Sequence, residues 1–115
     1  MTPTTAYKVL TADQMVALEK DGSFAGAPVD LTDGYIHLST EAQLTDTVDK
    51  HFAGQPDLHV AAVDLDALGD AVKWEESRGG QMFPHIYGPL PLNAVVAYGP
   101  LDRDTGGRVK LPVTG

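Results

Sequence analysis

The run Leu58-His59-Val60-Ala61-Ala62-Val63-Asp64-Leu65 constrains the fold more than any other segment of the chain. It is rich in β-branched and small apolar residues, and it predicts a central strand around which a sheet must form. Tyr7-Lys8-Val9-Leu10 predicts a first strand, and Thr11 with Gln14 three residues later forms a capping-box signature for a short helix carrying Met15 and Leu18 on one face, stopped at Asp21-Gly22. Ser23 to Thr32 carries Gly, Pro and Asp without periodicity and reads as a surface loop leading into a strand at Gly34-Tyr35-Ile36-His37-Leu38. Thr40 and Gln43 make a second capping box, followed by Leu44, Val48 and Phe52 at helical spacing up to Gly54.

Beyond the central run, Asp66 to Asp70 reads as a turn or one helical turn, Val72-Lys73-Trp74-Glu75 as a short strand and Arg78-Gly79-Gly80 as a mobile connection. Pro84, Pro89 and Pro91 speak against a regular helix or a central strand across their stretch, Asn93 to Tyr98 reads as the last clear strand, and Val109-Lys110-Leu111 as an edge strand. Strands outnumber helices, the helices lie early and no βαβ repeat is visible. The expected class is therefore α+β, with a mixed or antiparallel sheet and small helices. At 115 residues, residues 1–115 read as a single domain.

Charge and cysteine usage narrow the function classes. With 8 Lys+Arg against 16 Asp+Glu the net charge is -8, which opposes a nonspecific hold on a phosphate backbone or an anionic membrane. A compact anionic ligand gripped by a few local donors is still compatible with that average field. The absence of cysteine excludes disulfides, thiolate metal sites and cysteine nucleophiles. No apolar run approaches the ~18–20 residues of a membrane span and no segment resembles a signal peptide, so a cytoplasmic address is expected.

Two short segments carry the candidate chemistry. His37, with Ser39 and Thr40 behind it, falls where a predicted strand ends and a helix begins. Backbone N–H groups and two hydroxyls there form a cradle for phosphate or carboxylate, and the imidazole could orient a ribose or move a proton. The same Ser39 and Thr40 could serve as helix caps only, with His37 satisfied inside the core. In Phe83-Pro84-His85-Ile86-Tyr87-Gly88-Pro89 an extended backbone directs His85 and Tyr87 to one face, as a site wall or as a buried aromatic corner. Ahead of the Gly79-Gly80 loop, Glu75 could act as a base or hold a ribose hydroxyl, Arg78 could pair with a phosphate and Trp74 could stack on a flat ring. Equally, Trp74 could be core, and Glu75 and Arg78 could be paired with each other. No His-x-His or His-Glu-x-x-His spacing is present, and neither a nucleophile elbow nor a phosphate-binding glycine loop. Zinc, triad hydrolysis and P-loop chemistry are therefore not expected.

Taken together, Asp33-Gly34-Tyr35-Ile36-His37-Leu38-Ser39-Thr40 with Gln43-Leu44, then Trp74-Glu75, then Phe83-Pro84-His85-Ile86-Tyr87-Gly88-Pro89-Leu90, resemble the bacterial family catalogued as domain of unknown function 952, over about residues 6–97. The resemblance implies a fold grouped with ADP-ribosyltransferases: a split sheet with small helices and a cleft that in relatives holds NAD. It implies a His or Arg on the first strand to hold the nicotinamide ribose, a Ser, Thr or Tyr on the next core strand and often a late Glu. This chain offers Tyr7-Lys8 on the first strand, where family members often carry histidine at the position of Lys8. His37, Ser39 and Thr40 suit the second-strand role and Glu75 the acid. An RNA 2′-phosphotransferase-like reading instead uses His37 and His85 with Arg78, although the low basic content argues against a long RNA.

The expected function is a cleft protein that binds NAD or another nucleotide or phosphate-bearing small ligand through His37, Ser39, Thr40, Arg78, His85 and Tyr87, with ADP-ribosyl- or phosphotransferase-like chemistry. The alternative is a noncatalytic ligand-sensing or protein-interaction domain that retains the fold, motivated by Lys8.

Overall fold

The first strand, β1 (Thr5–Thr11), runs directly into α1 (Ala12–Asp21), because its last residue is also the cap of the helix. Thr11 Oγ1 accepts the Gln14 N–H at 3.2 Å and the Thr11 N–H donates to Gln14 Oε1 at 3.0 Å, which satisfies two otherwise orphaned donors. After Gly22 come β2 (Ser23–Phe24), α2 (Pro28–Asp33), β3 (Ile36–His37) and α3 (Glu41–His51). The second half holds β4 (Leu58–Asp64), a 3₁₀ segment at Asp66–Ala71, β5 (Val72–Glu76), β6 (Met82–Ile86), β7 (Leu90–Pro91) and β8 (Val95–Pro100). The computed structural model describes residues 3–112.

The strands form three antiparallel sheets ordered β1-β4-β8, β2-β7 and β3-β6-β5. The chain is thus α+β with antiparallel sheets and few short helices, and β4 is the central strand of its sheet as its composition predicts. One isolated bridge, Tyr7 to Ser39, links the edge of β1 to the residues just beyond β3. The Tyr7 N–H donates to Ser39 O at 2.7 Å and the Ser39 N–H to Tyr7 O at 2.9 Å.

Alternation along β1 and β4 feeds two apolar clusters. Ala6, Leu10, Ala61 and Val63 face α1 and the third sheet, joining Met15, Leu18, Ile36, Ile86 and Leu90. Tyr7, Val9, Val60 and Ala62 face the other way, against Leu44 and Val48 of α3. Each fully buried leucine or isoleucine contributes about 1.5–3 kcal/mol from its removal from water. Lys8 falls between Ala6 and Leu10 on the first of these faces, so its side chain enters the interior and needs a partner there.

Three expectations are corrected. The segment Ser23 to Thr32 is not a plain loop: it holds β2 and most of α2, with Pro28 in the first turn and Gly34 closing the helix at φ 87. The prolines do not exclude a central strand, since β6 contains Pro84 and lies between β3 and β5. Pro84 O accepts the Leu38 N–H at 3.1 Å, and the donor that proline lacks falls where β3 has already ended. Val109 makes an isolated bridge with Arg103 rather than an edge strand. No helix among the described residues is long and apolar enough to cross a membrane.

Candidate functional site

The two candidate histidines are cross-strand partners. The antiparallel register of β3 and β6 places His37 opposite His85, with ring centroids 5.3 Å apart and the rings edge to face. On the far side of β6, Lys73 stands opposite His85 and Trp74 opposite Pro84, so strand alternation sends Lys73 to the histidine face and Trp74 to the other. Trp74 packs against the apolar core there, and the structure does not bring it to the histidines.

Each histidine leans on a carboxylate. His37 Nδ1 lies 2.6 Å from Asp30 Oδ1, and its Nε2 lies 2.9 Å from Asp33 Oδ2. A carboxylate thus stands beside each ring nitrogen of His37. His85 donates from Nδ1 to Glu75 Oε1 at 2.8 Å, and the Tyr87 hydroxyl donates to the same oxygen at 2.7 Å. That contact fixes the proton of a neutral His85 on Nδ1 and leaves Nε2 as an acceptor. Nε2 of His85 is buried and has no hydrogen-bond partner, a deficit that costs about 1–3 kcal/mol in a folded protein. Tyr35 covers the pair, with centroid distances of 4.8 Å to His37, 4.1 Å to His85 and 5.3 Å to Tyr87.

Asp30 organises the other wall. Its Oδ2 accepts Lys8 Nζ at 2.9 Å and the Ala27 N–H at 2.8 Å, while Oδ1 accepts both the backbone N–H of His37 at 3.1 Å and the ring. Burial by itself raises this carboxyl, but the hydrogen bond from His37 and the ammonium of Lys8 outweigh it and hold Asp30 well below the usual carboxylate range. Lys8 also donates to His37 O at 3.2 Å, so the protein takes two of its three donors. On the other side, the hydrogen bonds from His85 and Tyr87 lower Glu75, and the hydrogen bond to Glu75 pushes the Tyr87 hydroxyl up to about 12.

A cleft of about 680 Å³ opens beside these groups, lined by Lys8 and Val9 of β1, the start of α2, His37 through Ser39, and Phe83 and His85 of β6. Ser39 reaches it, although its hydroxyl is within 2.8 Å of Thr47 Oγ1. Thr40 borders a separate depression with Glu41 and Arg108. The backbone N–H groups of Ser39 and Thr40 bond to Tyr7 O and to Gln43 Oε1, which removes both amides from the expected phosphate cradle. Arg78 lies in the turn after β5, and its side chain is outside the described residues. Among the described residues, no group of three or more His, Cys, Asp or Glu side chains is placed to hold a metal ion.

The structure therefore brings together His37, His85, Glu75, Tyr87 and, through Asp30, Lys8. Asp30, Asp33 and Tyr35 complete the cluster without having been singled out by sequence reasoning. The signal for Asp30 was local: Pro28 and Gly34 bracket one turn and a half of helix whose third residue is acidic.

A family model described as a protein of unknown function, DUF952, matches residues 9–98. The crystal structure of protein CC0527 from Caulobacter crescentus is 43% identical, with 93% of this chain and 94% of that chain covered and a TM-score of 0.85. The solution NMR structure of CC0527 from the same organism is 44% identical over 93% of this chain and 91% of that one, with a TM-score of 0.78. No curated protein matches.

Proposed function

Since this chain belongs to the DUF952 family, whose description assigns no reaction, we propose its function from the cleft: it binds NAD or another nucleotide or phosphate-bearing small ligand, with ADP-ribosyl- or phosphotransferase-like chemistry at His37 and His85. The observation that carries this reading is the pair of histidine–carboxylate dyads facing each other across β3 and β6 beside a cleft of about 680 Å³. The His37 ring supplies an N–H donor to phosphate, and the unpartnered Nε2 of His85 supplies an acceptor for a hydroxyl proton, the two functions a transfer step needs. Glu75 and Asp30 act through the rings they orient, as positioning residues. The resemblance to ADP-ribosyltransferases drawn from the sequence makes NAD the first ligand to try, with the cleft beside β1 and β3 as its place.

The engagement of Lys8 by Asp30 and by the His37 carbonyl favours a second reading, a ligand-sensing or protein-interaction domain without turnover. On that reading Lys8, the first-strand residue at the ribose position, is held by the protein rather than by a ligand.

Thermal-shift and calorimetric titrations with NAD, ADP-ribose and simple nucleotides, on the wild type and on folded His37→Ala and His85→Ala variants, test the proposal. A ligand-linked rise in midpoint lost by both variants supports it, with product analysis then separating transfer from sensing. No response to any of these ligands in folded protein overturns it.

A further inference from the structure

Asp33 is the one member of the cluster that its surroundings do not explain. Its carboxylate is 40% exposed, yet it sits 2.9 Å from Nε2 of His37. The ring does not need it for orientation, since buried Asp30 already binds Nδ1 and the backbone N–H of the same histidine. The main chain around it is anchored separately, by the Gly34 and Tyr35 N–H groups donating to Asp30 O at 2.8 and 3.2 Å. Rotation of one short side chain therefore exposes Nε2 of His37 to the cleft that both residues line, with no change in the backbone.

We propose that Nε2 of His37 is a subsite for a phosphoryl group and that the Asp33 carboxylate is its internal stand-in, displaced when the ligand binds. This inference rests on the reading of the cleft as a ligand site and names the ligand group that His37 receives. An exposed ion pair is a weak competitor, and a phosphoryl group brings more charge and more acceptor oxygens to the same N–H. The second ring points the same way: His85 is 2% exposed, its Nε2 has no partner, and its centroid is 5.3 Å from that of His37. A protonated phosphate oxygen or an adjoining ribose hydroxyl supplies the donor that this nitrogen lacks.

The test is titration of the full chain with inorganic phosphate and, separately, with ADP-ribose, followed by calorimetry and by the ring resonances of His37. Variants are Asp33→Ala, Asp33→Asn and His37→Gln, each checked for folding by its thermal melt. Removing an exposed competing carboxylate tightens phosphate binding by about two- to fivefold in both Asp33 variants, and His37→Gln abolishes it. Unchanged or weaker phosphate binding by folded Asp33→Ala and Asp33→Asn overturns the subsite. The two proposals fail separately. Nucleotides that bind with an affinity indifferent to Asp33 leave the nucleotide cleft standing and overturn the stand-in; phosphate strengthened by Asp33→Ala, with no nucleotide bound, does the reverse.

Discussion

Lys8 and Asp30 form an ion pair 2.9 Å long on the apolar face of β1, with both side chains withdrawn from water. Asp30 is 1% exposed and also receives the His37 ring and two backbone N–H groups, so its removal strands a buried ammonium and frees three other donors. Breaking a buried pair from one side costs about 3–5 kcal/mol. Asp30→Ala is expected to lose that much in urea unfolding, and Lys8→Met distinctly less, because the carboxylate keeps its other donors. Equal losses would show that the pair, rather than Asp30 as a shared acceptor, sets the stability.

Acid should act through the same carboxyl. Asp30 titrates well below the ordinary range in the folded chain, while the unfolded chain takes up that proton near about pH 4. The stability it contributes is complete above that value and falls as pH drops through it towards the folded-state value, because the unfolded chain then binds more protons. Between about pH 4.5 and pH 2.5 the wild type is expected to lose stability more steeply than Asp30→Asn, by up to about 1.4 kcal/mol per pH unit. Unfolding free energies measured at several pH values check this, and parallel slopes would remove Asp30 as the cause.

Glu75 is expected to govern the phenol of Tyr87. Its carboxylate accepts that hydroxyl at 2.7 Å and pushes it up to about 12. Glu75→Gln keeps an acceptor oxygen but removes the charge, and should bring the hydroxyl back towards about 10. Alkaline titration of phenolate absorbance follows it, with Tyr87→Phe identifying its share among the four tyrosines. A Tyr87 titration that Glu75→Gln leaves unmoved refutes the coupling.

Gly34 turns the chain from α2 into β3 at φ 87, and a Cβ there would meet nothing within 4 Å. The cost of Gly34→Ala is thus conformational alone, about 1 kcal/mol, readable as a small drop in melting midpoint with the site unchanged. A loss several times larger would mean that the turn is coupled to the packing of Tyr35.

The parts of the fold legible in the sequence are those set by neighbours in the chain. Thr11 with Gln14 and Thr40 with Gln43 announce α1 and α3 because capping is a local bond, and the Leu58–Asp64 strand announces itself by composition. Helix α2 was illegible because its polarity is inverted: Val29 and Leu31 are 59% and 64% exposed, whereas Asp30 is buried. Its inner face serves Lys8 and His37 rather than the apolar core, and hydrophobic periodicity cannot report such a face. Pro84 misled for a related reason, since what a proline costs depends on where the neighbouring strand ends. At the site, His37 and His85 were visible as residues, but their opposition depends on the register of β3 against β6. That Trp74 faces away from the histidines follows from the parity of β5, which only its pairing with β6 fixes.

The bridge between Tyr7 and Ser39 gives the molecule a seam. Two main-chain hydrogen bonds join the edge of β1 to the chain leaving β3, beside the Lys8 Nζ contact with His37 O. Each main-chain bond is worth about 1 kcal/mol net, far less than the ladders within either sheet. Widening the cleft parts this seam together with the Lys8 contact to His37 O, while β1 stays zipped to β4 and β3 to β6. The Tyr7 and Ser39 amides should consequently exchange with solvent ahead of their strands, and a ligand that spans the gap should slow those two amides first.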